Sequence, residues 1–183
     1  MTATSTPIAR RAMHRYTRRN REHQGGGGPF DFEVRALGMT PRVESAIGRV
    51  QAPAEVSAVL GTDDVVSRAR RMFADDVPVQ LATSYIPADI AAGTALEQQA
   101  TGPGGMISRL ADLGYAQVRM TERITVRPPT EAEADFFAMS ADQAVYEIVH
   151  VGHAADRAVE VCHHVLPAHR WVLDYEWNPD AAN

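Results

Sequence analysis

The stretch VVSRARRMFADDVPVQLATSYIP, Val65 to Pro87, decides the reading of this chain, because its pattern returns as AVYEIVHVGHAADRAVEVCHHVLP from Ala144 to Pro167. In each copy an alternating apolar run reaches a turn carrying an aspartate (Asp76, Asp156), restarts, and stops at a proline (Pro87, Pro167). Alternation on both sides of a short polar turn marks two antiparallel strands. Upstream of each copy stand a strand-like run, a proline and a short helix signal: RVQAPAEVSAVLG from Arg49 and TVRPPTEAEADFFAM from Thr125. The unit is strand, helix, strand, turn, strand, used twice. So long a repeat is not a solenoid period. It predicts a single α+β domain, an antiparallel sheet with helices packed on it, in two pseudo-repeated halves. The groove between the halves is a natural place for a ligand.

At 183 residues the chain holds one domain of ordinary size plus a tail, and such a domain buries roughly two-thirds of its unfolded surface without metal or disulfide staples. Cys162 is the only cysteine, which excludes an intramolecular disulfide and zinc ribbons or fingers and points to a reducing, cytoplasmic compartment. No apolar run approaches the ~20 residues of a membrane span, and the N-terminus lacks the apolar core of a secretory signal.

Charge is unevenly placed. All 18 basic residues are arginines, and Arg10, Arg11, Arg15, Arg18, Arg19 and Arg21 precede Gly25 against one acid, Glu22. The rest carries 18 − 6 = 12 arginines against 23 − 1 = 22 acids, a balance of −10 that disfavours nucleic-acid binding by the folded body. The four glycines Gly25 to Gly28 and Pro29 read as a flexible joint, so residues 1–28 are expected to form an arginine-rich arm or linker and 29–183 the domain. The arm fits two readings, phosphate contact or a solvated linker.

Along the domain, Pro29 to Leu37 has a short helical pattern closed by Gly38, Arg42 to Val50 is extended, and Pro53 to Leu60 is a helix ending at Gly61. Short helices are also expected at Ala88 to Ala91 and Met106 to Leu113, and Thr130 with Glu133 is a capping-box signal for a helix reaching Met139. Gln117 to Arg127 alternates, with Val118, Met120, Ile124 and Val126 on one face and the arginines and threonines on the other. Glu122 falls on the apolar face. A buried carboxylate must be paired, hydrogen-bonded, or turned to a ligand.

In the second strand of each hairpin, Val79, Leu81, Thr83 and Tyr85 oppose Gln80, Ala82, Ser84 and Ile86, and Val159, Val161, His163 and Val165 oppose Glu160, Cys162, His164 and Leu166. The second face of each is polar yet small at its centre, the pattern of a pocket wall or of a plain solvent-facing strand. His163 and His164 are adjacent in a strand and point to opposite faces, which argues against a shared metal ion or a Cys/His nucleophile. No G-x-S-x-G, G-x-x-x-x-G-K or H-E-x-x-H motif is present, so no catalytic residue, metal ligand or cofactor is assigned.

From Phe30 to Trp177 the order FDFEVRALGMTPR, PVQLATSYIP, LADLGYAQVR, VEVCHHVLPAHRW resembles the effector-binding UTRA domain of GntR-type bacterial transcription regulators of the HutC subfamily. The resemblance implies a chorismate-lyase-like fold, a small-molecule effector pocket between the halves, no catalysis, and a homodimer. By position it implies a pocket built from Asp31, Thr83, Ser84, Tyr85, Arg119 and Glu160, with Arg119 pairing an anion; Glu122 joins them from the buried-acid argument. Using both Arg119 and Glu122 requires a bulge between them. Family members carry a winged helix-turn-helix before this domain, and here only the arginine-rich segment precedes it. The chain is then a fragment, a truncated product or a stand-alone sensor, binding DNA weakly by itself. Thr83 stands where sugar-phosphate-binding relatives tend to have arginine. Two other classes remain: a chorismate-lyase-like enzyme, and a module that dimerises with a full-length regulator. Trp171, Val172, Leu173, Tyr175 and Trp177 form a strand-like aromatic run suited to a dimer interface or to the monomer core.

Overall fold

The computed structural model describes residues 6–22, 27–140 and 142–176. An N-terminal strand β1 (Ile8–Arg11) and two single-turn helices, α1 (Ala12–Arg15) and α2 (Arg18–Arg21), precede α3 (Pro29–Arg35). The first half follows as β2 (Pro41–Gln51), α4 (Ala54–Leu60), β3 (Asp64–Ala74) and β4 (Val77–Pro87). The connection carries α5 (Ala88–Ala91) and α6 (Gly105–Asp112). The second half is β5 (Arg119–Arg127), α7 (Glu131–Phe137), β6 (Val145–Ala154) and β7 (Arg157–Pro167), and β8 (Trp171–Asp174) closes the described chain. The expected unit thus occurs twice.

The six long strands form one antiparallel sheet in the order β2-β3-β4-β7-β6-β5. The halves meet at β4 and β7, where Thr83 pairs with His163 and Ala82 and Ser84 pair with His164 and Cys162. Register shifts fall at Met72/Phe73 and at Gly152/His153, equivalent places in the two halves. Both shifts leave one extra residue on the facing strand, Val79 in β4 and Val159 in β7. This corrects strict alternation at the strand starts. Val79 and Val159 join the core clusters of the inner sheet face instead of continuing the outer row.

Local signals explain the elements. Asp75 and Asp76 adopt positive φ in a two-residue hairpin turn, a conformation short polar side chains tolerate. Thr130 and Glu133 form the reciprocal capping box of α7. Gly61 ends α4 in the left-handed region.

The inner face of the sheet is covered by α3, α5, α6 and the N-terminal segment, and the outer face by α4 and α7. Phe30 and Val34 of α3 pack with Met72, Ala82, Ile148 and Leu166, and Ile90, Leu96 and Leu110 pack with Val66 and Ile86. On the outer face Val56 and Leu60 of α4 meet Val65, Tyr85 and Val161.

The flexible-arm expectation for residues 8–22 is overturned by packing. β1 pairs in parallel with β8, Ile8 opposite Trp171, and Arg10, Arg15 and Arg21 are buried. Their charges are met by Glu122 and Glu33 and by hydrogen-bonding groups, so helix propensity and net charge were poor guides there. Part of the Gly25–Gly28 joint lies outside the described residues. Trp171 serves the monomer's own core: it is 2% exposed and donates its indole N–H to the Val79 carbonyl at 2.7 Å. Trp177 lies outside the described residues.

Candidate functional site

One register row crosses the inner face as Ile47, Arg68, Ser84, Cys162, His150 and Glu122, with Arg70 and His164 in the next row. The Arg68 end lies under an open cleft and the Glu122 end under the N-terminal segment.

The cleft has a volume of about 780 Å³. Its floor is Ser45, Arg68, Arg70 and Met72, its far wall the segment 99–103 with Met106, and its near wall Phe30 and Asp31. Arg68 is 3% exposed and donates to the carbonyls of Leu96 (2.5 Å), Gln98 (2.7 Å) and Gln99 (3.2 Å), pinning the far wall to the sheet. Burial, helped by the neighbouring Arg70 charge, lowers its pKa to about 10. Arg70 is half-buried and donates to Ser84 Oγ at 2.5 Å and Cys162 Sγ at 3.4 Å. Neither guanidinium makes an ion pair among the described residues, and the Nε of each is buried without a partner. Two cations side by side without a carboxylate are an incomplete arrangement, and a bidentate anion completes it best.

Behind Arg70 lies a smaller inner chamber of about 90 Å³. Here Glu160 accepts from Ser84 Oγ at 2.9 Å and from Gln117 Nε2 at 2.8 Å, and Gln80 shares a hydrogen bond with His164 Nδ1 at 3.0 Å. Burial holds His164 well below the usual histidine pKa, reinforced by Arg10 and Arg70, so its ring is neutral at pH 7. Burial raises the Cys162 thiol to about 11, well away from the range of a reactive thiolate.

The structure joins two of the seven sequence-derived candidates, Ser84 and Glu160, by a hydrogen bond and sets a third, Asp31, apart from them on the cleft wall. Asp31 is on the cleft wall, accepting from Gly27 N–H and Arg35 Nε, and Ser84 and Glu160 line the polar seam. Thr83 and Tyr85 are corrected: they point to the outer face, Thr83 beside Ala69 and Leu81, and Tyr85 edge-on to His163. Arg119 is corrected too. It is exposed on the outer face of edge strand β5, and the register shifts lie in other strand pairs, so nothing turns it inward.

Glu122 does face inward, but protein groups consume it. It pairs with Arg10 and accepts from Tyr16 (2.9 Å) and Tyr175 (3.0 Å), with His150 Nδ1 at 3.4 Å. Burial alone would raise its pKa; the hydrogen bond from His150 and the Arg10 charge overcome this and bring it to about 2. Arg68 and Arg70 were missed, although they fall on the face of Val66 and Met72. A charged residue on an apolar face is the same signal that singled out Glu122.

Residues 36–171 match the model of the UTRA domain family. The chain belongs to that family. An uncharacterized HTH-type transcriptional regulator of Streptomyces coelicolor is 31% identical over 144 residues, 74% of this chain and 54% of the relative, so the chain spans about half the length of that curated relative. Among solved structures, the effector domain of PhnF from Mycobacterium smegmatis is similar with a TM-score of 0.68 at 20% identity, over 80% of this chain and 92% of that one. The C-terminal domain of the histidine utilization repressor from Pseudomonas syringae gives 0.63 at 16% identity, over 75% and 99%. These structural likenesses show the fold alone; membership of the UTRA domain family rests on the match over residues 36–171. Among the described residues no helix is long and apolar enough to cross a membrane, and no group of metal-ligating side chains converges.

Proposed function

We propose that this UTRA domain senses a small metabolite bearing an anionic group, held in the cleft against Arg70 and Arg68, and conveys its occupancy to a DNA-binding regulator in the cytoplasm. The observation that carries the reading is the pair of guanidiniums on the floor of a 780 Å³ cleft that make no ion pair among the described residues. Asp31 on the near wall supplies an acceptor for a hydroxyl or amine at the other end of the same molecule. Ser84 and Glu160 hold Arg70 from behind, so they position it and do not themselves reach the ligand. The domain acts as a homodimer in this reading, as a regulator that reads two-fold symmetric DNA requires.

Native mass spectrometry of the freshly purified chain, followed by calorimetric titration with the metabolite retained, tests the proposal. Arg70→Ala is expected to weaken binding at least 100-fold, because a bidentate charge-assisted contact to a buried anion is lost. Retention of a cationic or wholly apolar molecule, or unchanged affinity in Arg70→Ala, would overturn it.

A further inference from the structure

The segment Ile8–Glu22 is fastened to the body by Ile8, which enters the core cluster of Trp171, and otherwise largely by polar and charged contacts. Its strand has one partner strand, and its two helices are one turn each. It delivers Arg10 to Glu122 of β5 and Arg15 to Glu33 of α3, the latter at 3.1 Å, so two arginines of the segment meet two carboxyl groups of the body. Arg21 donates to Ser108 Oγ on α6 at 2.9 Å, and the same hydroxyl donates to Glu22 at 2.8 Å. The body is shaped for this contact. Gly104 and Gly105 both hold positive φ, and a Cβ on Gly104 would lie 2.7 Å from Glu22 Cγ.

The fit is nonetheless incomplete. Nε and Nη1 of both Arg10 and Arg15, and Nε2 of His150, are buried without hydrogen-bond partners. These groups regain water when the segment leaves, which lowers the cost of leaving. The central strands β4 and β7 expose far more apolar surface on opening: their inner residues Ile86, Val159 and Leu166 are wholly enclosed. A cooperative unit with poorly satisfied polar contacts and one residue, Ile8, in a core cluster opens before the sheet does.

Leaving also uncovers something. Arg15 and Tyr16 form one wall of the inner chamber, opposite His150, Glu160, Cys162 and His164. We propose that Ile8–Glu22 is a releasable strap that detaches as a unit while the sheet stays folded, opening the inner chamber to solvent, with the Arg10–Glu122 and Arg15–Glu33 contacts setting how often it opens. The proposal is independent of which ligand the outer cleft takes. Whatever chain precedes Ile8 is joined to the domain through this strap, so its release changes that tether.

The only cysteine, Cys162, lies in the chamber at 1% exposure and reports its opening. The full chain is treated with a small aromatic disulfide at increasing urea, and in parallel with dilute trypsin, for which Arg10 to Arg21 are cleavage sites. Cys162 labelling and cleavage within the strap are expected to share one opening step, with a urea dependence shallower than that of global unfolding followed by circular dichroism. Glu122→Gln is expected to accelerate both about 10–100-fold and to shift β4 and β7 hydrogen exchange by no more than the same factor, so that the gap between strap opening and global unfolding is unchanged. Arg15→Met carries the same expectation and serves if Glu122→Gln fails to fold. Labelling and cleavage that both follow the full urea slope of global unfolding would make the segment ordinary core and end the proposal. Faster cleavage with unchanged Cys162 labelling would equally overturn it, because the segment would then not close the chamber.

Discussion

Replacing Trp171 with phenylalanine separates the two jobs that the structure gives this side chain. The indole is 2% exposed and sits in the core with Ile8, Phe30, Val34 and Val79. Its N–H serves the carbonyl of Val79, the extra residue that the β4 bulge pushes inward. Phenylalanine keeps most of the ring but strands that carbonyl in an apolar setting, a loss of about 1–2 kcal/mol. The smaller ring gives up a further ~1 kcal/mol of buried area. The expected total is about 2–3 kcal/mol. Trp171→Ala removes the packing as well and should cost about 3–5 kcal/mol. Urea unfolding followed by far-ultraviolet circular dichroism measures both without relying on tryptophan emission. A loss below ~0.5 kcal/mol for Trp171→Phe would refute the bulge-carbonyl argument.

Glu122 supplies a pH test. Its folded pKa of about 2 lies below its ordinary value of 4.5, so its contribution, about 3 kcal/mol, is complete above pH 4.5 and lost as pH falls toward 2; urea midpoints of Glu122→Gln should lack this acid limb. Burial raises Glu33 instead, to about 8, opposed by Arg10 and reinforced by Glu122, so its ionisation costs stability as pH climbs from 4.5 through 8; Glu33→Gln should flatten that decline, and an unchanged profile would contradict it. DNA binding by this chain alone should be weak and indifferent to sequence, because only Arg11, Arg18 and Arg19 of the segment are exposed; the slope of log K against log salt should not exceed about 3 in magnitude, and a steeper slope or tight operator binding would contradict the burial of the others. Light scattering at micromolar concentration should show a homodimer that Trp171→Phe leaves intact, since the indole faces the chain's own core; a monomer would overturn the proposed assembly.

The repeat, and with it the order of strands and helices, could be read from the chain because it depends on local patterns. Alternation marks strands, Gly61 and Gly38 mark helix ends, and Thr130 with Glu133 marks a helix start; each acts over a few residues. Asp31, Ser84 and Glu160 come from position in the family resemblance and not from local pattern; the structure sets Asp31 on the cleft wall and joins Ser84 to Glu160. What alternation could not reveal was which face of β4 looks into the cleft, so Thr83 and Tyr85 were placed there beside Ser84 although a strand turns successive side chains to opposite sides. Arg119 and Glu122 show the same limit on β5, where only the packed sheet decides which residue meets protein and which meets water. The N-terminal segment is the clearest case. Its arginines look like a solvated run when counted along the chain, because their partners Glu33, Ser108 and Glu122 come from α3, α6 and β5. A charge is stabilised by what surrounds it in three dimensions, and the folded sheet alone brings carboxylates 18 and 112 residues away to Arg15 and Arg10.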